Sequence, residues 1–475
     1  MLLSRPSDKI LSAKGGIKMK NLDLLHGKIL PTMIRFSAPL MGTAFIQMAY
    51  NLSDIAWIGR IGTEAVAAAG QVGFLIWIGT ALMLMPRVGM SILTSQFYGA
   101  GDHKQARLSI NNGFWLSIVM GILYGAILLV FKDVFIQFYN LEESVNILTE
   151  QYLVVIALGM PLFFINPVLS GAYNSLGNSR TPFRINAVGL IVNIISDPLL
   201  IFGWGPFPAL GIQGAALATV FAQMVVFVCF AYVIFRSDNL IHHSRLYAFQ
   251  PDLPLIKHIS RLGFPISLQS NIHAIVSVLL NRYVASYGAM PLAVTSVGSN
   301  IESISWNTTE GFSAAITAFT GQNYGARFLN RVKSIYSTSM KSVGVIGIFA
   351  TLVLLVFRYQ LFHLFIPNDS QAIALGAVYL FIFGLSQFFM SIEIGGSGFL
   401  SGIGDTRTPA LINSILNVLR LPLALIFMPM MGVAGVWIGM SLTSVFKGVI
   451  IYIFTLIRLK GILRSEMEPL VQDSL

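Results

Sequence analysis

Long apolar segments, separated by short polar or Gly- and Pro-containing turns, account for most of this chain. Each segment has at least the roughly 20 residues that an α-helix needs to cross a bilayer. The pattern predicts twelve membrane-spanning helices. The first six lie near 36–58, 65–95, 109–131, 148–171, 185–203 and 211–235. After a polar stretch at 236–261, the other six lie near 262–281, 290–320, 334–357, 371–400, 410–431 and 433–457.

The composition agrees with this pattern. Of the 475 residues, 55% are hydrophobic and only 11% are charged, and the mean hydropathy is +0.74. These values lie outside the range of soluble globular domains, so we expect an all-α membrane protein. The single cysteine, Cys229, lies in an apolar segment and supports neither an intrachain disulfide nor a cysteine-based metal site.

The 30 basic residues outnumber the 20 acidic ones, and the predicted topology explains the excess. With the N-terminus inside, roughly 22 basic residues fall on the cytoplasmic side and about 4 outside. The positive-inside rule then places both termini in the cytoplasm, in a multi-pass protein of the cell (inner) membrane, and no nucleic-acid partner is predicted. No signal peptide is visible. Residues 1–18 are predicted to form a disordered leader, with Met19 as an alternative start.

The second half of the chain repeats the first. An offset of 226 superposes QFYGA at 96–100 on QNYGA at 322–326, and an offset of 227 superposes GNSRTP at 177–182 on GDTRTP at 404–409. Six helices in each half give both halves the same orientation, an arrangement typical of secondary transporters with alternating access. Because no Walker A motif is present, we expect an ion gradient to supply the energy.

The repeat divides the chain into five predicted parts. These are a cytoplasmic N-terminal tail at 1–30, an N-terminal six-helix lobe at 31–236, a cytoplasmic linker at 237–258, a C-terminal six-helix lobe at 259–460 and a cytoplasmic tail at 461–475. The two lobes are expected to enclose a central cavity.

Ionisable residues inside membrane helices are costly and often functional. At 1.5 Å per residue, Asp54, Asp197 and Thr219 fall at a similar depth in the outer half of the membrane. Asn193 lies four residues before Asp197 on the same helix face, and Pro198 frees a backbone carbonyl. Such oxygen atoms suit Na⁺, two enclosed carboxylates can instead carry H⁺, and a purely structural acid pair is the third interpretation. The predicted cation-coupling residues, which are also the candidate Na⁺ ligands, are Asp54, Asn193, Asp197 and Thr219.

The second half lacks this acid pair. Leu280 stands at the position of Asp54, and residues 417–422 replace 193–198, so the coupling site is predicted in the first half only. Glu310 either pairs with Arg420 or Lys447 in a structural role or belongs, with Glu302 and Glu393, to another acidic feature of the second half. The roles of these three glutamates stay open. A substrate cavity is predicted around Gln47, Tyr50, Asn166 and Glu393, and Pro39 is expected to bend the first helix.

These residues resemble the MATE family of multidrug and toxic compound extrusion transporters over nearly the whole chain. The resemblance rests on Pro39, DIAWIG at 54–59, the two QxYGA stretches, GNSRTP at 177–182, residues 193–198 and GIQGAALAT at 211–219. It implies a twelve-helix, two-lobe antiporter that exports organic, mostly cationic compounds in exchange for Na⁺ or H⁺. The chain is most similar to the DinF-like branch, whose coupling residues match Asp54, Asn193, Asp197 and Thr219. We expect small amphiphilic cations and the lipid bilayer as partners, no cofactor other than the coupling ion, and a monomer without an obligatory protein partner.

Other interpretations remain. A lipid-linked saccharide flippase of the same broad superfamily would hold phosphate with basic residues, for which Arg87, Arg420 and Lys447 are the candidates. A membrane-embedded enzyme is disfavoured because no nucleophile motif or metal-ligand spacing appears in the helices. A channel fits the composition, but the acid pair in one half favours stoichiometric coupling.

Overall fold

The computed structural model describes residues 21–138, 142–205 and 208–472, with side chains described to residue 464. These residues form helices and connecting turns, without a strand. The predicted leader at 1–18 and the alternative start at Met19 lie outside them. The helices are α1 (Ile29–Ile58), α2 (Thr63–Gly99), α3 (His103–Val130), α4 (Lys132–Gln137), α5 (Glu143–Ser175), α6 (Arg180–Phe202), α7 (Gly211–Arg236), α8 (Leu253–Ala285), α9 (Ala289–Gly325), α10 (Leu329–Val356), α11 (Arg358–Phe365), α12 (Ser370–Gly402), α13 (Arg407–Met431) and α14 (Val433–Gln472).

Within the described ranges, twelve of these helices are long and two, α4 and α11, are short. Eleven of the long helices are apolar enough to cross a membrane by length and composition. The twelfth, α9, has 37 residues but carries Glu302, Glu310 and many Ser, Thr and Asn side chains, which lower its hydropathy. It packs against α1, α2 and α12, so protein covers much of its polar surface. The predicted all-α membrane fold is confirmed.

The long helices form two lobes that correspond to the sequence repeat. In the first lobe α5 packs against α2, α3 and α7, and in the second α12 packs in the same way against α9, α10 and α14. The lobes meet where α2 contacts α8 and α9, and where α1 contacts α9. The helices α1, α2, α8 and α9 therefore form the contact between the lobes.

The connection between the lobes contains the first residues of a helix. It was predicted at 237–258, but α8 already begins at Leu253 because the side chain of Asp252 caps it, accepting from the N–H of Leu255 at 3.0 Å. The last membrane span was predicted near 433–457, and the helix that contains it, α14, continues to Gln472. The polar sequence of the linker is thus shared between a short connection and the first turns of α8.

Two asparagines of α3 hold this connection against the first lobe. The Nδ2 atom of the fully buried Asn111 lies within 3.2 Å of the carbonyl oxygens of Ser244, Arg245 and Ala248. Its Oδ1 atom accepts from the N–H of Gln250, and Oδ1 of Asn112 accepts from the N–H of Asp252 at 3.0 Å. The connection is therefore an ordered part of the first lobe.

We expect Asn111→Ala to lower the free energy of unfolding by about 2 to 3 kcal/mol, because several buried backbone groups lose their hydrogen-bond partner. Thermal unfolding of the detergent-purified protein measures the effect. The matched control is Asn330→Ala, which removes an exposed amide at the start of α10. An equal, small shift in both variants would contradict the role assigned to Asn111.

Candidate functional site

Four polar side chains from three helices meet inside the first lobe. Thr219 of α7 donates from Oγ1 to Oδ2 of Asp54 on α1 at 3.4 Å. On α6, Asn193 donates from Nδ2 to Oδ1 of Asp197 at 3.3 Å, as their four-residue spacing requires. Asp54 also interacts directly with both Asn193 and Asp197. The structure thus brings together the four residues of the predicted coupling site, which we name the acid cluster.

The acid cluster has more acceptors than donors. Oδ1 of Asp54, Oδ1 of Asn193 and Oδ2 of Asp197 are buried without a hydrogen-bond partner among the described residues. Asn193 and Asp197 are 0% exposed. Two carboxyl groups in contact repel each other unless they share a proton or a cation. The arrangement therefore fits a proton or a small hard cation, which carboxylate and amide oxygens can bind.

Two tyrosines border the acid cluster. Tyr50 of α1 and Tyr152 of α5 are both buried and interact electrostatically with both carboxylates. Gly189 of α6 leaves room for Tyr50, since a Cβ atom there would lie 2.6 Å from the phenol oxygen. Tyr50 was predicted as a cavity residue. Tyr152 was not, because it lies among apolar residues of α5 and carries no spacing signal.

The other predicted cavity residues do not join this cluster. Asn166 is buried in the first lobe, where Nδ2 donates to the backbone and side-chain oxygens of Gln223 at 2.8 Å. Glu393 lies in the second lobe and accepts from Nδ2 of Asn413 at 2.6 Å. Gln47 is exposed on α1. The predicted cavity residues therefore lie in both lobes, and their role in a substrate cavity stays a prediction. The helix α1 is continuous through Pro39.

Of the two interpretations of Glu310, the structure does not show the pairing with Arg420 or Lys447. The side chain of Glu310 is exposed on α9 and interacts electrostatically with Arg87 of α2 and with Glu393, not with Arg420 or Lys447. The reason is the packing of α9 against α2 in the other lobe, which a comparison of sequence positions within one half does not reveal. An acid and a base thus face each other across the contact between the lobes.

The two repeated QxYGA stretches lie against each other at the contact between the lobes. Gln96 donates from Nε2 to the carbonyl of Gly402 at 2.9 Å, and Gln322 donates from Nε2 to the carbonyl of Ser175 at 2.8 Å. Since Ser175 and Gly402 are also equivalent at the offset of 227, the two bonds repeat each other. Each lobe therefore binds the other with the same residue.

The glycines of these stretches allow the lobes to come so close. A Cβ atom at Gly99 would lie 1.9 Å from the carbonyl oxygen of Gln322, and one at Gly325 would lie 2.0 Å from that of Gln96. Only glycine permits such an approach between two backbones. We call Gln96, Gly99, Gln322 and Gly325 together the reciprocal contact.

A family model described as MatE matches the chain twice, over residues 39–199 and 265–426. The chain belongs to the MatE family. The two matches start 226 residues apart, as the repeat predicted. This MatE protein is thus a multi-pass membrane transporter and not an enzyme.

Relatives of this MatE protein cover nearly its whole length. The probable multidrug resistance protein NorM of Thermotoga maritima is 28% identical over 428 residues, which are 89% of this chain and 91% of that protein. The FAD transporter of Shewanella oneidensis is 25% identical over 90% of this chain and 95% of its own length. A crystal structure of MATE in the bent conformation has a TM-score of 0.87 and 24% identity, covering 94% of this chain and 99% of that one, and shares the fold.

Proposed function

We propose that this MatE protein exports small organic compounds, mainly amphiphilic cations, in exchange for H⁺ or Na⁺. The observation that carries the proposal is the acid cluster, with three buried oxygen atoms that have no donor among the described residues. The names of relatives such as NorM support multidrug efflux. The proposed setting is the cell (inner) membrane, with a monomer whose termini face the cytoplasm.

The acid cluster supports exchange because a bound cation changes the interaction between its two carboxylates. A proton shared by Asp54 and Asp197, or Na⁺ bound to the three free oxygens, relieves the repulsion between the carboxylates. A change in the distance between the two carboxylates moves α1 and α6, the helices that carry them. Ion binding is proposed to shift these helices and so weaken the hold on the substrate, and the bend of α1 at Pro39 belongs to this proposal.

Separate ion gradients test the proposal. The purified protein is reconstituted in proteoliposomes, and uptake or release of a cationic dye is followed under an imposed Na⁺ gradient or an imposed pH gradient. Accelerated dye movement opposite to one gradient, absent from liposomes without protein, is the expected result. Equal movement with both gradients dissipated would contradict coupled exchange, and counterflow of labelled against unlabelled dye separates a carrier from a channel.

Thr219→Val is expected to lower the apparent affinity for Na⁺ by about twofold to tenfold, since it removes one oxygen atom of the acid cluster that could bind Na⁺, a loss of about 0.5 to 1.5 kcal/mol. The ion dependence of dye transport measures the change. Thr80→Val in α2 serves as a control, because the Thr80 hydroxyl donates only to the backbone of its own helix. An unchanged ion dependence in Thr219→Val would remove this residue from the site.

Two finer assignments stay predictions. One is membership of the DinF-like branch, which the location of the acid cluster in the first lobe supports. The other is the alternative function of a lipid-linked saccharide flippase, which would show as movement of a polyprenyl-linked sugar without any effect of Asp54 or Asp197 variants.

A further inference from the structure

The second lobe contains two buried cationic side chains that the acid cluster does not explain. Arg420 of α13 is 7% exposed and Lys447 of α14 is 6% exposed. Both lie near the middle of their membrane-spanning helices, roughly 20 Å from the first residue of each. A charge at this depth is costly, so a binding partner is expected for each of them.

Their hydrogen-bond partners in the protein are neutral. Arg420 donates from Nε to Thr443 at 3.0 Å and from Nη2 to Ser444 at 3.1 Å. Lys447 donates from Nζ to Asn417. Among the described residues, no carboxylate lies within ion-pair distance of either cation. A guanidinium has five N–H donors, and the recorded bonds use only two of those on Arg420.

The acids of this lobe are held apart from the two cations. Glu393 accepts from Asn413, and Glu302 accepts from Gln387 at 3.1 Å and from Tyr379 at 3.4 Å. Both glutamates interact with Arg420 electrostatically without contacting it. Opposite charges therefore face each other inside the lobe, while donors of the cations remain available.

Arg420 has a place in its lobe equivalent to that of the acid cluster. It is thirteen residues from the first residue of α13, as Asn193 is from the first residue of α6, so the structure matches Arg420 to Asn193 where the sequence comparison matched Asn417 to it. The first lobe thus has buried oxygen atoms without a donor at this position, and the second has a cation with N–H donors that no recorded hydrogen bond uses. The two lobes have opposite polarity where their repeats correspond.

We propose that Arg420 and Lys447 form a subsite for the anionic group of an amphoteric substrate, a carboxylate in the first instance. A guanidinium binds a carboxylate through two parallel hydrogen bonds, and an ammonium adds a point charge. Glu302 and Glu393, which are partly exposed, then face the cationic end of the same molecule. The proposal rests on the proposed transport function and narrows its substrate class.

A matched pair of fluorescent probes tests the subsite. Rhodamine 110 carries a free carboxylate, and rhodamine 123 is its methyl ester with the same cationic ring. Binding of each dye to the detergent-purified full chain is measured by fluorescence anisotropy. We expect the wild-type protein to bind rhodamine 110 more tightly, and Arg420→Gln and Lys447→Gln to weaken that binding tenfold or more while changing rhodamine 123 binding less than twofold. Lys341→Gln, which removes an exposed charge from α10, should change neither.

Retained ester binding shows that a variant is folded, and Arg420→Lys is expected to recover part of the lost affinity. Equal loss of both dyes in Arg420→Gln and in Arg420→Lys would overturn the subsite, as would a wild-type protein that binds both dyes alike. The assay uses no ion gradient. Failure of gradient-driven transport would therefore disprove the proposed exchange and leave the binding result standing.

Discussion

Replacing Asp197 with asparagine is expected to reduce gradient-driven dye transport to about a tenth of the wild-type rate or less. Asparagine keeps the shape of the side chain and the acceptor for Asn193, but it removes the charge that binds the coupling ion. Losing a hydrogen-bonding partner that carries charge costs roughly 1.5 to 3 kcal/mol, which corresponds to a tenfold or larger loss of ion affinity. Asp54→Asn should have the same effect. Transport in proteoliposomes under the driving gradient measures both.

The matched control is Glu64→Gln, which neutralises an exposed acid at the start of α2. Its transport should equal that of the wild type. The double variant Asp54→Asn/Asp197→Asn should be no worse than either single one, because the two carboxylates act as one site. Full activity of both single variants would disprove the assignment of the acid cluster.

Gly325→Ala is expected to impair both transport and stability, because its Cβ atom would lie 2.0 Å from the backbone carbonyl of Gln96. Such overpacking lowers the free energy of unfolding by about 1 to 3 kcal/mol. Because the clashing backbones belong to different lobes, the added Cβ atom can be accommodated only if the lobes move apart. Gly99→Ala should act in the same way from the other lobe. Thermal unfolding and dye transport measure the two consequences.

The labelling rate of a single cysteine measures the separation of the two lobes. In a Cys229→Ser background, Ser95→Cys places a thiol at the contact, where Ser95 is 1% exposed and faces Gly321. Gly325→Ala should increase its labelling rate by a membrane-impermeant maleimide several-fold. Gly73→Ala in the same helix as Ser95 is the control, since no atom lies within 4 Å of its added Cβ. Similar labelling in both variants would show that the reciprocal contact does not hold the lobes together.

The sequence predicts the fold and the acid cluster because both depend on local information. The length of each apolar segment decides whether a helix can span the membrane. The four-residue spacing of Asn193 and Asp197 decides which face they share, and counting along the helices places Asp54 and Thr219 at the same depth. The structure brings these four residues together, and their role in coupling stays a proposal.

The contacts between the lobes are not predictable in this way. The electrostatic interaction of Glu310 with Arg87 depends on how α9 lies against α2, and the hydrogen bonds of Gln96 and Gln322 connect residues about 150 to 300 positions apart. The repeat did identify the two QxYGA stretches as equivalent, but equivalence in sequence does not imply contact. Tyr152 was missed for a related reason, since only the packing of α5 brings its phenol to the acid cluster.

The fixation of the interlobe connection by Asn111 and Asn112 has a mechanical consequence. A flexible linker between α7 and α8 would permit almost any displacement of one lobe against the other. This segment is bound to α3 up to Asp252, and Leu255, Ile259 and Leu262 of α8 are buried in the same hydrophobic cluster as Met90 and Ile110 of the first lobe. A rotation of the second lobe therefore has to move or bend the first turns of α8 against the first lobe.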